Sequence, residues 1–227
     1  LCHGDTGMKD LFLLTADADA LAFMKSILSR HEALGIRPIT FEHMRHPMRD
    51  SGVIKDGPET ARLYKGKCNK ALLLWDYHGS GHEKRHSAED SANKIQERLD
   101  GVTWSDNSGA VAVAPELEEW LWHSVPSVAA YFRVEQAQLT SWMNEYATKK
   151  RSTVEKVSKD LPKELFEFIC IDKLKRSISP SDFEEIGKIV IINELQGSDS
   201  FSKILFMLRN WFPVRPVLHR RSRRLLK

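Results

Sequence analysis

The chain of 227 residues carries 34 Lys/Arg against 31 Asp/Glu, a formal net charge of +3, with 41% hydrophobic and 29% charged residues. That composition suits one cored domain, with or without an appended helical part, and no apolar run approaches the ~20 residues of a membrane-spanning helix. Three separated cysteines (Cys2, Cys68, Cys170) form no CxxC pair, which argues against a zinc knuckle or a disulfide framework and for a reducing, cytoplasmic setting.

The first seven residues lack a signal-peptide layout and read as sequence preceding the fold, with Met8 its natural start. "DLFLLT" (10–15) predicts a short buried strand. Leu21, Met24 and Leu28 then recur at helical spacing until Gly35 stops the helix. "IRPITFEH" (36–43) alternates as a strand, and "HPMRDSGVIKDGP" (46–58) has the Pro, Gly and Asp content of a loop. Pro58 opens a short helix ending near Gly66. "KALLLW" (70–75) predicts the strongest strand, with the unbroken apolar run of a buried parallel strand. Ala88, Ala92, Ile95 and Leu99 mark an amphipathic helix, and "GAVAVAP" (109–115) predicts a last strand closed by Pro115.

Strand and helix thus alternate through 10–122, which favours a parallel sheet covered by helices on both faces. From Pro126 the pattern is helical only. Leu139, Trp142 and Tyr146 form one stripe, and Pro162 starts a helix carrying Leu165, Ile169 and Leu174. Ser181 with Glu184 reads as a capping box, and a last helix aligns Ile204, Leu208 and Trp211 before Pro213. Lys149–Lys159 reads as a linker. The closing "VRPVLHRRSRRLLK" (214–227) holds six Lys/Arg and no acid. Subtracting six from +3 leaves about −3 on the rest. Such a tail can hold phosphates by counterion release, or be only a solvated terminus.

Ligands of open parallel sheets bind beyond the carboxyl ends of the strands. Here the first strand leads to Asp17 and Asp19, and the second to His46, Arg49 and Asp50. The third ends at Asp76, followed by His78 and Glu83, and the fourth precedes Glu116 and Glu118. Carboxylates gathered at one rim repel one another, and a Mg²⁺ ion relieves that repulsion while binding phosphate oxygens. It can also activate water for phosphodiester cleavage. Asp17, Asp76, Glu116 and Glu118 are the candidate metal ligands, with Asp50 beside them. Arg49 is a candidate phosphate contact, and His46 or His78 a proton-transfer group. The alternative is plain: carboxylates after strands also cap the next helix, a job that suits Asp17 and Glu116. Gly79 and Gly81 could cradle a phosphate, but no dinucleotide or P-loop signature follows them, and turn geometry explains them. His43, His82, His86 and His123 receive no role. Trp120, Trp122, Trp142 and Trp211 sit at core spacing rather than as stacking platforms.

"LFLLTAD", "EALGIRPI", "HPMRDSG", "LLLWDYHGSGHE", "PELEEWLW" and "LRNWFP" together resemble a bacterial family of the methylation-associated antiphage defence system, in order from Met8 to Pro213. In that family the third-strand motif carries Asp, Glu, two Gly and a final Glu. Asp76, Gly79, Gly81 and Glu83 match it, and His78 replaces the inner Glu. More loosely, "PELEEW" is similar to the acidic segment of Toprim-like defence nucleases, although Thr15 stands where their first-strand Glu would be. The resemblance implies a Toprim-like α/β domain at 8–125, a helical region at 126–213 packed on it, and a basic tail at 214–227. It implies a Mg²⁺-dependent, nuclease-like antiphage protein that meets nucleic acid and other defence proteins, or else a catalytically degenerate adaptor or sensor.

Overall fold

The computed structural model describes residues 7–214; most of the basic tail, from 215 onward, lies outside them. Four strands form one parallel sheet in the order β2-β1-β3-β4. They are β1 (Lys9–Thr15), β2 (Phe41–Arg45), β3 (Cys68–Asp76) and β4 (Ser108–Val113). The α/β class holds, with a parallel sheet, flanking helices and a C-terminal helical part.

The apolar runs of β1 and β3 exist because both faces of the sheet are covered. Leu11, Leu13, Leu72 and Leu74 point into one core. Phe12, Leu14, Leu73 and Trp75 point into the other. Period-two alternation therefore splits a single apolar run between two layers. The second layer is closed by α3 (Arg49–Arg62) and α4 (Ala88–Leu99), whose Val53, Ile54, Ile95 and Leu99 are buried there.

The first layer contains α1 (Ala18–Ser29) together with most of the C-terminal half. After α2 (His31–Leu34), that half begins with α5 (Glu118–Trp122), α6 (Val125–Phe132) and α7 (Gln136–Lys149). It continues through α8 (Val154–Asp160), α9 (Pro162–Glu167), α10 (Pro180–Ile189), α11 (Ile192–Leu195) and α12 (Asp199–Trp211). Phe23 and Met24 of α1 share one core with Phe166, Phe183 and Phe201 of these helices. The helical half is a layer of the same fold, since its apolar stripes have nowhere else to be buried.

Several local expectations shift. Ile36 is buried but bridges Pro213 in an antiparallel contact, and the strand itself begins five residues later, in register Leu11↔Phe41. The expected loop at 46–58 is largely helical. α3 is kinked at Asp56 and carries Pro58 inside. Burying Val53 and Ile54, and setting Gly57 within 3.2 Å of Leu73 by its would-be Cβ, overrides the turn-rich composition. Within the expected linker, Thr153 caps α8 by accepting the Lys156 amide. The cap of α10 is Ser179, two residues before Ser181. Pro180 fits the first helical position, and Asp182 reaches back to the Ser179 amide at 2.6 Å. Trp120 and Trp122 are core residues, and Trp142 and Trp211 pack against that core. Cys68 and Cys170 are buried free thiols, and burial pushes the Cys170 thiol up to about 12. No helix among the described residues is long and apolar enough to cross a membrane.

Candidate functional site

The carboxyl edge of the sheet gathers acidic residues from four connections. Asp17 follows β1 and caps α1, its Oδ1 accepting the Ala20 amide at 2.8 Å. Asp50 lies in the first turn of α3, and its Oδ1 accepts the Asp76 amide at 2.8 Å. Asp76 ends β3, and its own Oδ1 accepts the Leu117 amide at 3.0 Å. Asp50 and Asp76 thus tie the ends of β2, β3 and β4 together through backbone amides. The helix-capping alternative is met by Asp17. It is not met by Glu116, because α5 has no side-chain cap.

One oxygen of Asp76 remains over: Oδ2 has no hydrogen-bond donor among the described residues. The Asp76 carboxyl is held well above its usual range, first by burial and then by the charges of Glu118, Asp17, Asp50 and Glu116. Glu118, only 7% exposed, is pushed up to about 8, chiefly by burial. Asp19 is raised to about 6 by burial and by Asp17. Asp50 and Glu116 are raised as well, with burial the leading cause in both. Each such shift says that a negative charge there costs free energy which a proton or a cation would recover.

The geometry of the edge is looser. No group of three or more His, Cys, Asp or Glu among the described residues is arranged to hold a metal ion. A protein-only cage is accordingly not what these residues offer. Mg²⁺ does not need one, because it takes one or two carboxylates and fills its octahedron with waters and substrate oxygens. The free Oδ2 of Asp76 beside the crowded Glu118 and Asp17 fits that lesser demand.

The remaining expected residues divide. Arg49 is exposed, makes no ion pair within 4 Å among the described residues, and sits at φ 51° at the start of α3. That left-handed conformation costs a non-glycine residue about 1–3 kcal/mol. His78 is exposed, with its amide on Pro115 O and its charge felt by Glu116. His46 is different: it is 4% exposed and wedged against Gly52, where a Cβ would lie 2.0 Å from Nδ1. Its Nδ1 accepts the Met48 amide and its Nε2 faces Asp56 Oδ1 at 2.9 Å. Nδ1 is occupied and Nε2 lies against Asp56 without a well-aligned hydrogen bond, so the buried ring props the β2–α3 turn. Gly79 and Gly81 adopt φ of 78° and 84° in open space, as the turn reading requires. Glu83 turns back to Ser80 Oγ at 3.2 Å instead of joining the acidic rim.

Sequence reading missed Lys163. It is exposed at the start of α9, yet its charge acts on Asp19, Asp50, Glu116 and Glu118, and the charges of Glu118, Glu116 and Asp76 raise its own proton affinity despite partial burial. No local signal marks it, because its partners lie 45 or more residues away in sequence. No protein-family model, curated protein or solved structure matches this chain.

Proposed function

We propose that the acidic edge is a Mg²⁺-assisted phosphodiester site acting on nucleic acid, in the antiphage setting that the motif resemblance implies. One observation carries this reading: carboxylates from four separate connections crowd until each raises another's proton affinity, and Asp76 Oδ2 is left without a donor. Asp76 and Glu118, with Asp17, are the residues that would hold the ion. When bound, the ion supplies an activated water and charge stabilisation for the leaving oxygen.

The protein's own groups account for the rest. Arg49 and Lys163 approach the edge from α3 and α9 and hold backbone phosphates. His78, exposed beside Glu116, exchanges a proton with the departing oxygen. Asp50 positions Asp76 by holding its amide, and His46 positions Asp50 by fixing the turn that starts α3.

A second reading has its own support. Asp17, Asp50 and Asp76 each spend an oxygen on a backbone amide, which is what a catalytically degenerate adaptor or sensor would retain. Calorimetric titration with Mg²⁺ and Mn²⁺, combined with cleavage of plasmid and modified phage DNA, separates the two. The nuclease-like reading expects metal binding and cleavage by the wild type, with cleavage at least about 100-fold slower in Asp76→Asn. Metal binding without cleavage selects the adaptor. Absence of metal binding removes the Mg²⁺ site itself.

A further inference from the structure

A cavity of about 600 Å³ lies on the outer flank of β4. β4 is an edge strand, paired only with β3. Its odd-numbered carbonyls face β3, since Asn107 O accepts the Ala71 amide and Val113 O accepts the Tyr77 amide. The parallel ladder therefore turns the amides of Ala110 and Ala112 outward. Gln96 Oε1 of α4 takes the Ala110 amide at 3.1 Å. Among the described residues Ala112 has no such partner; it lines the cavity, as do the small side chains of Ala88 and Ala92.

Glu119 and His123, one turn apart on α5 and its C-terminus, line the same cavity. His123 Nε2 meets Glu119 Oε1 at 2.5 Å, and this hydrogen bond, outweighing burial, raises the imidazole's proton affinity. The turn before α12 closes over the ring at Gly197, where a Cβ would lie 2.5 Å from Nδ1. Glu119 is 8% exposed, and its second oxygen, Oε2, is buried without a hydrogen-bond partner among the described residues. A buried acceptor without a donor costs about 1–3 kcal/mol, and more when charged. Around it, Glu89, Glu155 and Asp199 join Glu119 against Lys159, Lys203 and His123, four carboxylates to three basic groups. The lining therefore carries one more carboxylate than basic groups.

We propose that this cavity binds a ligand presenting a guanidinium or primary ammonium group to Glu119 Oε2. A guanidinium suits it best, because its forked N–H groups can reach the carboxylate while its plane packs on the Trp122 wall. The volume falls in the range of small-molecule sites. A free amine-bearing molecule and an arginine side chain in an extended peptide lying along β4 share this chemistry, and the test tells them apart.

The full chain is titrated with L-arginine amide, with its neutral isostere L-citrulline amide, and with the blocked peptide acetyl-Val-Val-Arg-Val-Val-amide. Binding is followed by calorimetry and by the NMR signals of the Ala112 amide and the His123 ring. The expected result is saturable binding of a guanidinium ligand below about 10 mM. Both signals should move, and citrulline amide and the Glu119→Gln variant should each weaken binding tenfold or more. A peptide that binds tighter and shifts Ala112 further assigns the ligand to an extended chain; equal affinities assign it to a small molecule. Failure to saturate, or equal binding of arginine and citrulline amides, overturns the proposal and leaves Glu119 Oε2 to water. The citrulline comparison uses only wild-type protein, so it stands even if Glu119→Gln does not fold.

Discussion

Asp182, wholly buried at the start of α10, receives the Tyr131 hydroxyl at 2.5 Å, the Ser179 amide at 2.6 Å and the Arg176 guanidinium. Asp76, at the end of β3, receives a single amide and faces four carboxylates. Asp182 is wholly buried and has its charge neutralised by an ion pair, whereas Asp76 is half-buried and has no ion pair among the described residues. The first arrangement fastens α6 and the turn before α10 to each other and needs nothing more. The second places negative charge where it costs free energy, which a proton or a cation would recover.

Breaking the satisfied aspartate should have the largest effect. Asp182→Ala leaves Arg176 without its partner and opens the α10 cap, and is expected to lose about 3 kcal/mol in chemical denaturation. Arg176 is partly exposed, which keeps the loss toward the lower end for a buried pair. A loss below about 1 kcal/mol would mean that this network is not a structural clasp.

Relieving the unsatisfied edge should do the reverse. Glu118 has its folded pKa raised from 4.5 to about 8, so between those values the folded state holds more protons than the unfolded one. Its contribution to stability therefore falls as pH rises through that window, and is unperturbed below it. Glu118→Gln should match wild type near pH 4. Near pH 9 it should exceed wild type by on the order of 2–4 kcal/mol, read from thermal melts across the pH range. A variant less stable than wild type at pH 9 contradicts the crowding. Mg²⁺ should mimic the substitution, raising the wild-type melting temperature at pH 8 and doing so far less for Asp76→Asn.

Lys163 gives the smallest and most conditional effect. It is exposed, so Lys163→Ala should cost less than about 1 kcal/mol at pH 8 in low salt, and nothing measurable in about 1 M salt. An equal loss at both salt concentrations would show that the lysine acts by packing instead of by charge.

Much of this was readable beforehand, and for different reasons in different places. Strands β1 and β3 announce themselves because burial on two faces demands unbroken apolar runs. α4 is legible from Ala88 to Leu99 because its apolar residues recur at helical spacing, and Ile95 and Leu99 are buried as that stripe requires. α3 is not, because Gly52 and Gly57 are there for close packing against His46 and Leu73, and composition alone cannot tell packing glycines from turn glycines. Asp17, Asp50, Asp76, Glu116 and Glu118 could be placed at one edge from strand endings alone. His46 could not be distinguished from His78, since the difference is whether a glycine presses on the ring.

By itself, the sequence determined the α/β class, the direction of the sheet and the edge at which acids would collect. These follow from hydrophobic periodicity and from the rule that parallel strands deliver their carboxyl ends to one side. Only the tertiary structure decided which acids are neutralised and which crowd, that Lys163 reaches the rim from α9, and that Glu119 and the β4 edge enclose a second cavity. Charge and hydrogen bonding depend on distances of a few ångströms between residues far apart in the chain, and no local pattern encodes those.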